Sequence, residues 1–542
     1  MPPLRVFLWP LTLLHLLTVA LAANTETFNE RLSLNSLQDG KVAAKFTFTT
    51  LLKDGKPRDP RLLEREDESQ HFTIFPLALG QILRQYGVTE LHLNLNAGKW
   101  NYDVWGSPEE KGVGTGGELW AWLADGANTS IDERWKGLRN ALAGLFCASL
   151  GSLDELRTTI PSRAFSPEGS LPHWDLPHHI RHGSLPSENV CTENLTPFLK
   201  LLPCKSLSGI ASLLNPHRLF DADWHGMGVH VLWREDEGIE VRLTFQSVFD
   251  PLRFSNGRIQ DWSLKSLFNR QVERACPVAE SSEILVGLPH AIYSIKPEPS
   301  SIRHKSAVFD VNTLEKPLDV SLHWRNPFQY PLVYATPSTP ISIRRTLTGS
   351  SQAWGQLSVA VTNNREDPLS IIYLETMPWL VQFFLHTLET RIDGALVDNV
   401  ISNLTYTLPI PHSRPTTLQM LLTLPPKKTV YLTMEVTKAF LRYTEHPPDA
   451  ERGWDLPPAI FTPVRFDNDT VVPLSDERMY SSVLLADLAT PDFSMPYNVI
   501  MFTCSLIAFV FGTIHNALTR KLVVVPLTDD KAKENEKNTE GS

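Results

Sequence analysis

Cysteine is the residue type in this chain best suited to covalent chemistry, and the sequence contains 5 of them. Cys147 follows an apolar helical pattern, so we expect it to be a buried free thiol. Cys191 lies in a polar stretch, so we expect it to be exposed. A Cys204–Cys276 bond and a Cys191–Cys204 bond that closes a short loop are both compatible with the spacing. Cys504 lies within the apolar C-terminal stretch, so with Cys147 free the other three form an odd set, which in an oxidising compartment suggests a bond to another chain.

Two other segments resemble sites but lack the context that their chemistry requires. Residues 112–117 read GVGTGG, a G-x-G-x-x-G pattern, but a turn precedes them where a phosphate-binding loop needs a buried strand. We therefore predict a flexible surface loop. Prolines interrupt the histidine cluster at 173–182, so no helix can present it to zinc, and we predict a solvated loop. Its members are His173, His178, His179 and His182. The sequence also lacks a G-x-S-x-G elbow, and we expect no catalytic residue, no cofactor and no metal ion.

Apolar stretches near both ends of the chain indicate secretion and membrane anchoring. Residues 1–22 combine a basic residue, an apolar core and an Ala-Leu-Ala cleavage pattern at 20–22, which predicts a secretory signal peptide. Residues 497–519 are apolar over the length that a bilayer requires, which predicts a transmembrane helix. A basic pair follows this helix, so we expect residues 520–542 in the cytosol and the bulk of the chain in the lumen.

Four N-x-[ST] sequons lie between these two stretches, on the side of the membrane where N-glycosylation occurs. A sequon that is used marks a loop facing solvent. The predicted glycosylation sites are Asn128, Asn194, Asn403 and Asn468. A polar tail continues beyond the apolar C-terminal stretch, so we do not expect that stretch to be a GPI-attachment signal.

Composition and periodicity predict a mainly β protein. Of the 542 residues, 42% are apolar and 20% are charged, which excludes a disordered chain, and the net charge of −10 argues against a general nucleic-acid binder. Alternating patterns such as LHLNLN at 91–96 predict antiparallel strands with one dry and one wet face, packed as sandwiches. Residues 418–424 and 430–436 are interpreted as a hairpin. An amphipathic helix is predicted over 131–150, behind a capping box that begins at Ser130.

A proline-rich stretch near residue 300 is typical of a linker and divides the predicted ectodomain in two. We predict a β-rich domain over 23–300 and a second, β-sandwich-like domain over 301–495. Long loops are expected at 160–187 and 440–475, which are rich in proline, histidine and acidic residues.

Four segments resemble the PIG-T family, the large lumenal subunit of the GPI transamidase. They are LATPDFSMPYNVI at 488–500, VCTENLTPFLKLLPC at 190–204, GLFCASL at 144–150 and YTEHPPDA at 443–450. The layout of signal peptide, ectodomain and single C-terminal span is similar along nearly the whole chain. The resemblance implies a noncatalytic scaffold in an endoplasmic-reticulum complex, whose caspase-like subunit carries the nucleophile and joins proprotein C-termini to a GPI lipid.

The resemblance also implies residue roles and partners. Cys191 occupies the CTENLTP position and is assigned an intermolecular disulfide to the caspase-like subunit, so that Cys204 and Cys276 pair internally. Further expected partners are a metallopeptidase-like subunit, a polytopic mannosyltransferase-like subunit and a second lumenal scaffold. Asn498 would lie where the lumenal headgroups meet hydrocarbon, and because polar groups there need partners we predict a contact to the GPI headgroup. The alternative is an interfacial amide that is solvated by water. The alternatives are an independent lumenal hydrolase and an adhesion-type β-sandwich protein.

Overall fold

The structure, a computed structural model, describes residues 26–65, 72–254, 260–288, 293–324, 339–349, 351–446, 452–467, 470–473, 478–489 and 494–524. The predicted signal peptide at 1–22, the sequon at Asn468 and residues 525–542 of the predicted tail lie outside these ranges. The chain divides into two units. The first contains the sheets, and the second contains residues 442–446 and the C-terminal helix.

Strands make up most of the regular structure, which confirms the predicted mainly β fold. The strands are β1 (Glu26–Ser36), β2 (Val42–Lys53), β3 (Val88–Ala97), β4 (Gly116–Ala124), β5 (Thr158–Thr159), β6 (His178–Leu185), β7 (Trp224–Arg234), β8 (Gly238–Phe249), β9 (Trp262–Ser263), β10 (Ser281–Gly287), β11 (Tyr293–Lys296), β12 (Ser301–Arg303), β13 (Ser306–Asp310), β14 (Ser321–Trp324), β15 (Ile341–Thr348), β16 (Trp354–Asn363), β17 (Leu369–Met377), β18 (Val381–Phe383), β19 (Glu389–Ile392), β20 (Ala395–Leu396), β21 (Ile401–Thr407), β22 (Thr416–Leu424), β23 (Thr429–Lys438), β24 (Trp454–Leu456), β25 (Ile460–Asp467), β26 (Thr470–Pro473), β27 (Met479–Tyr480) and β28 (Leu484–Ala486). The α-helices are α1 (Leu77–Tyr86), α2 (Tyr102–Trp105), α3 (Ile131–Phe146), α4 (Thr192–Leu201), α5 (Pro216–Leu219), α6 (Pro251–Phe254), α7 (Leu264–Phe268) and α8 (Ser494–Thr519).

The first sheet runs in the order β12-β13-β10-β1-β2-β8-β7-β3-β4-β6-β5. Its pairs are antiparallel except β1 and β10, which are parallel. Helices α1, α3 and α4 bury their apolar residues in one core with alternate residues of these strands, such as Phe46 and Leu93. Pairing of β13 extends the sheet to Asp310, beyond the domain boundary predicted near residue 300, and that boundary stays a prediction.

Helix α3 shows how the local sequence sets the bounds of an element. The Glu133 N–H donates to Ser130 Oγ at 3.2 Å and the Ser130 N–H donates to Glu133 Oε2 at 3.1 Å, which is the predicted capping box. Leu138 and Phe146 lie on its fully buried face. The helix ends before the predicted residue 150, because Cys147 takes a left-handed backbone conformation with φ of 53°.

The second and third sheets share one apolar core, which agrees with the predicted sandwich. The second sheet has the order β15-β16-β23-β19-β20, with β18 also on β23, and the third has the order β21-β22-β17-β25-β26, with β27 also on β25. The strands predicted at 418–424 and 430–436 exist, but the predicted hairpin is wrong, because β22 pairs with β17 and β21 whereas β23 pairs with β16, β18 and β19. Leu422 and Leu432 reach the shared core from opposite sheets. Alternation therefore identified the buried faces but not the neighbouring strands.

Helix α8 is the C-terminal element of the described chain. Within the residues that the structure describes, Tyr497–Thr519 is the one helix long and apolar enough to cross a bilayer, and 0% of its most apolar stretch is buried in protein. Exposed apolar side chains along its length fit a helix that contacts lipid. This agrees with the span predicted at 497–519.

Candidate functional site

Cys191 lies immediately before helix α4, at its N-terminal end. Its thiol is exposed and forms no disulfide with any other residue in the described part of the chain. Thiol–disulfide exchange requires access to the sulfur atom, and this position provides it. The structure therefore agrees with an exposed Cys191, whereas its bond to another chain stays a prediction.

Asn194 fixes the backbone of Cys191 against the end of helix α3. Its side-chain oxygen accepts the Cys191 N–H at 2.6 Å. Its side-chain amide donates to the carbonyl oxygens of Phe146 at 2.8 Å and Cys147 at 3.2 Å. Asn194 is 1% exposed and its bond to the Phe146 carbonyl is buried, whereas the bonds to Cys191 and Cys147 are partly buried. The backbone of Cys191, which carries the exposed thiol, is thus held by the buried side chain of Asn194.

A disulfide between Cys204 and Cys276 holds the chain just beyond the other end of α4. The two residues are 72 positions apart, and closing a loop of that length stabilises the fold by about 4 kcal/mol in the chain-entropy description. Cys276 is 2% exposed. This pairing excludes the alternative bond between Cys191 and Cys204, so helix α4 is anchored at both ends while Cys191 keeps its thiol free.

The prediction that Cys147 is a buried thiol is wrong. Cys147 is exposed, because helix α3 ends there and the left-handed backbone turns the residue away from the core. The preceding residue, Phe146, is 0% exposed and fills the core position instead. The apolar pattern correctly predicted a buried helix end but did not show that the helix ends before Cys147 and leaves this residue exposed.

The described sequons have different surroundings. Asn128 is exposed in the turn before α3, and Asn403 is exposed in strand β21, where it has a φ of 52° beside an irregularity in strand pairing. Glycosylation of these two residues stays a prediction. A glycan on Asn194 conflicts with the structure, because its amide nitrogen is buried and donates to two main-chain carbonyls. The sequence pattern shows the acceptor residue but not its burial.

Asn498 lies in the first turns of α8 and is exposed, one residue after the start of the stretch that could span a membrane. The position agrees with an amide at the boundary between headgroups and hydrocarbon. Its contact to a lipid headgroup stays a prediction.

A layer of buried polar side chains on the first sheet was not predicted from the sequence. In β3 the leucines face the apolar core, but the intervening polar residues are buried as well. Their exposed fractions are 0% for Glu90, 1% for His92, 2% for Asn94 and 3% for Asn96. The face that alternation predicted to be wet is therefore dry, because other parts of the chain cover it.

The polar layer is closed by hydrogen bonds among its members. The Nδ1 atoms of His92 and His230 are 2.9 Å apart, and His92 Nε2 is 3.1 Å from Glu90 Oε1. The carboxylate of Glu90 also accepts the backbone N–H groups of Glu168 and Gly169, each at 2.9 Å. Burial without such partners would cost several kcal/mol per charged group, so the network makes the dry face possible.

Tyr480 of strand β27 and the preceding Arg478 cover this layer from the third sheet. Tyr480 donates its hydroxyl to Glu118 Oε2 at 2.7 Å, and Arg478 donates to Glu168 Oε1 at 2.7 Å. The Arg478 guanidinium also lies over the Trp120 ring, 5.0 Å from its centroid. Side chains that are far apart in the sequence thus join the first and third sheets.

The glycine-rich segment and His182 of the histidine-rich segment belong to this layer, so the loop prediction is wrong for these residues, whereas His173 is exposed outside β6. Residues 112–117 are mostly buried, and a side chain at Gly114 would bring its Cβ to 2.9 Å from the Tyr480 ring. His178–Leu185 is strand β6, in which His182 is 3% exposed. Close packing against Tyr480 explains a glycine at position 114 without any phosphate.

His182 links Thr159 and Glu118 in an order that resembles a nucleophile, a base and an acid. Thr159 Oγ1 is 3.1 Å from His182 Nδ1, and His182 Nε2 is 3.0 Å from Glu118 Oε1. Thr159 is only 4% exposed, so a substrate carbonyl cannot reach its hydroxyl in this arrangement. We interpret the three residues as part of the buried layer.

Burial and neighbouring charges fix the ionisation of the layer. Burial lowers the pKa of His230 to about 3, although the carboxylate of Glu110 opposes this effect. Burial tends to raise the pKa of Glu118, but the hydrogen bond with His182 and the nearby positive charges outweigh it, so the pKa lies below the usual value. Near neutral pH His230 therefore stays neutral and Glu118 stays ionised, as expected for a structural joint.

Comparison with known proteins places this molecule in a family. A family model described as "Gpi16 subunit, GPI transamidase component" matches residues 12–260 and 251–541. The chain is 33% identical to the "GPI-anchor transamidase component PIGT" of Homo sapiens over 540 residues, covering 91% of this chain and 90% of that protein. The Mus musculus protein of the same name gives the same identity and coverage. The "GPI transamidase component PIG-T homolog" of Schizosaccharomyces pombe is 32% identical over 527 residues, covering 94% of this chain and 93% of its own. The chain thus belongs to the Gpi16 or PIG-T family of GPI transamidase components, as its sequence segments predicted.

Proposed function

We propose that this chain is a noncatalytic lumenal scaffold of the GPI transamidase, joined to the caspase-like catalytic subunit by a disulfide at Cys191. The observation that carries the proposal is the exposed thiol of Cys191 on a helix end that the fold holds rigidly. The other lumenal cysteines are either paired internally or, in the case of Cys147, also exposed. Both residues lie in segments that resemble the family, and Cys191 is preferred because the resemblance assigns the intermolecular disulfide to the CTENLTP position.

A disulfide suits a scaffold for a physical reason. Once the bond forms, all other contacts between the two chains become intramolecular, with effective concentrations in the millimolar range. Weak surface contacts then suffice to orient the partner. The anchoring of α4 by Asn194 and by the Cys204–Cys276 bond limits the motion of the tether, so it also constrains the position of the partner.

The proposed topology places the sheets in the endoplasmic-reticulum lumen and α8 across the membrane, with residues 520–542 in the cytosol. An apolar helix of this length supports a single-span anchor. Asn498 would then face the lumenal headgroups and contact the head of the GPI lipid. The further partners proposed are the metallopeptidase-like subunit, the polytopic mannosyltransferase-like subunit and the second lumenal scaffold.

Non-reducing electrophoresis of the complex tests the disulfide. The full chain is expressed with the other subunits as wild type, Cys191→Ser or Cys147→Ser, and each adduct is followed by its shift on reduction. We expect the adduct in wild type and in Cys147→Ser, and its loss in Cys191→Ser, since both residues are exposed but only one is proposed to be bonded. An adduct that survives Cys191→Ser contradicts the proposal.

Purified full-length chain in detergent tests the noncatalytic role. We expect no peptidase or amidase turnover from the chain alone, and turnover when the catalytic subunit is supplied. Turnover by the chain alone that is lost in a Thr159→Val variant would instead favour the hydrolase alternative.

A further inference from the structure

We propose that a cleft beside helix α3 binds an extended polypeptide segment of the same chain that Cys191 holds. This inference rests on the proposed disulfide and adds to it a second, noncovalent contact. The cleft, called the α3 cleft below, is lined by α3, by strand β5 and by the connection between β21 and β22. All of these elements belong to one structural unit.

The α3 cleft is large enough for a ligand. Its volume is about 640 Å³, within the range of pockets that hold ligands of a few hundred daltons. Lys136 and Arg139 of α3 line one wall, whereas Ile410 and Arg414 of the β21–β22 connection line the opposite wall. A space between two walls that carry both charged and apolar groups suits a peptide better than a wholly apolar ligand.

Strand β5 borders the cleft and could form backbone hydrogen bonds with a bound peptide. It is the terminal strand of the first sheet, and among the described residues it pairs only with β6. Thr158 and Thr159 both line the cleft, and although Thr159 is only 4% exposed, Thr158 is partly exposed, so the unpaired edge of the sheet borders the empty volume at Thr158. Peptides commonly add to such an edge by backbone hydrogen bonds, with alternate side chains entering pockets on either side.

The strand at the opposite end of the same sheet provides a contrast. Strand β12 ends in Arg303, whose guanidinium lies 3.2 Å from Glu283, and charged side chains at an edge discourage the addition of another strand. Strand β5 contains two threonines and no charge. The edge that borders the α3 cleft therefore lacks this protection.

Side chains on both walls can contact an occupant. Ile160 is 54% exposed beside β5 and Ile410 is 45% exposed across the cleft, so an apolar side chain could bury both. Arg139 is 7% exposed, and its Nε makes no hydrogen bond with any described residue. A carbonyl or carboxylate of the occupant would improve the environment of this buried cation.

The position of Cys191 identifies the occupant as the tethered chain. The end of α3 carries the carbonyl of Phe146, which accepts a hydrogen bond from Asn194, three residues after Cys191. Arg139 lies seven residues before Phe146, or about 10 Å along the helix. An extended chain covers that distance in roughly three residues. A partner bonded to Cys191 would therefore present its neighbouring residues to the cleft at high effective concentration.

Photo-crosslinking tests the identity of the occupant. p-Benzoylphenylalanine is placed at Ile160 or, as the control, at Ile302, which is 66% exposed on the opposite edge strand β12. The full chain is expressed with its partners, irradiated and reduced, and any crosslinked polypeptide is identified by mass spectrometry. We expect the Ile160 probe to capture the chain that forms the Cys191 disulfide, and the Ile302 probe not to capture it. Capture of another polypeptide, including a proprotein, or no capture above the control overturns the proposal.

A second experiment measures the noncovalent contact without the tether. In a Cys191→Ser background, Ile160→Asp should lower the amount of copurified partner about tenfold, whereas Ile302→Asp should leave it unchanged. Because Ile160 is exposed, neither change should alter the unfolding midpoint by tryptophan fluorescence. Equal recovery from both variants overturns the cleft proposal. The non-reducing gel of the wild type is scored separately. Absence of the Cys191 adduct contradicts the proposed disulfide. An intact adduct without an Ile160 crosslink contradicts the cleft proposal alone.

Discussion

The strongest local prediction concerns Asn194, whose side chain joins the ends of two helices. Asn194→Ala removes three hydrogen bonds, one from the Cys191 N–H and two to main-chain carbonyls of α3. At about 1 kcal/mol for each bond, the free energy of unfolding should fall by about 3 kcal/mol. The bond to the Phe146 carbonyl should contribute most, because it is buried and no water replaces the amide there, whereas the other two bonds are only partly buried.

The matched control is Thr196→Ala, which destroys the same sequon but leaves the Asn194 side chain in place. Thr196 is exposed, and its hydroxyl donates only to the Thr192 carbonyl at 3.2 Å. Urea unfolding of the full chain in detergent, followed by tryptophan fluorescence, measures both variants. We expect about 3 kcal/mol of destabilisation for Asn194→Ala, less than 0.5 kcal/mol for Thr196→Ala, and no change in glycan mass for either.

Equal destabilisation by the two changes, or a glycan lost from both, would refute this reasoning. The first result would mean that the sequon and not the hydrogen bonds matters for stability. The second would mean that Asn194 carries a glycan and that its amide is not buried as described. The amount of Cys191 adduct in Asn194→Ala provides a further check, since loosening of the helix end should reduce it.

Two further predictions concern buried charged groups. His230 has a pKa of about 3 in the folded chain against 6.5 in the unfolded chain, so its contribution to stability is present above pH 6.5 and is lost as the pH falls towards 3. Between pH 7 and pH 5 the free energy of unfolding measured in urea should fall by about 2 kcal/mol in the wild type. This fall should disappear in His230→Gln and remain in His304→Gln, which changes an exposed residue. Equal pH dependence in all three proteins contradicts the prediction. Arg345 donates to Glu375 at 2.6 Å with both side chains 0% exposed, so Arg345→Met should cost about 3–5 kcal/mol in the same assay. The double variant with Glu375→Leu should recover most of that loss, and a double variant no more stable than Arg345→Met would argue against the buried pair as the cause.

Local pattern predicted the elements of the fold well but not their partners. The capping box at Ser130, the mainly β fold and the apolar C-terminal helix all depend on residues close together in the sequence, and the structure agrees with each. Strands β22 and β23 alternate correctly but lie in different sheets, because alternation specifies a buried face and contains no information about the neighbouring strand.

Burial by distant parts of the chain explains what sequence reasoning missed at the site. Glu90 and His92 have the spacing of a wet face, but Arg478 and Tyr480 arrive from the third sheet nearly 400 residues later and help to close the layer over them. One local signal was available, since three of the polar positions of β3 hold histidine or asparagine and none holds lysine, although Glu90 gave no such signal. Asn194 gave no such signal, because a sequon has the same letters whether its amide faces water or a carbonyl.

The central claim is that Cys191 joins this scaffold to the catalytic subunit, and peptide mapping of the native complex tests it most directly. The purified wild-type complex is alkylated, digested without reduction and analysed by mass spectrometry. We predict a peptide containing Cys191 that is bonded to a peptide from the caspase-like subunit, together with a separate peptide pair joined through Cys204 and Cys276. Alkylated, unbonded Cys191 in an active complex would contradict the claim.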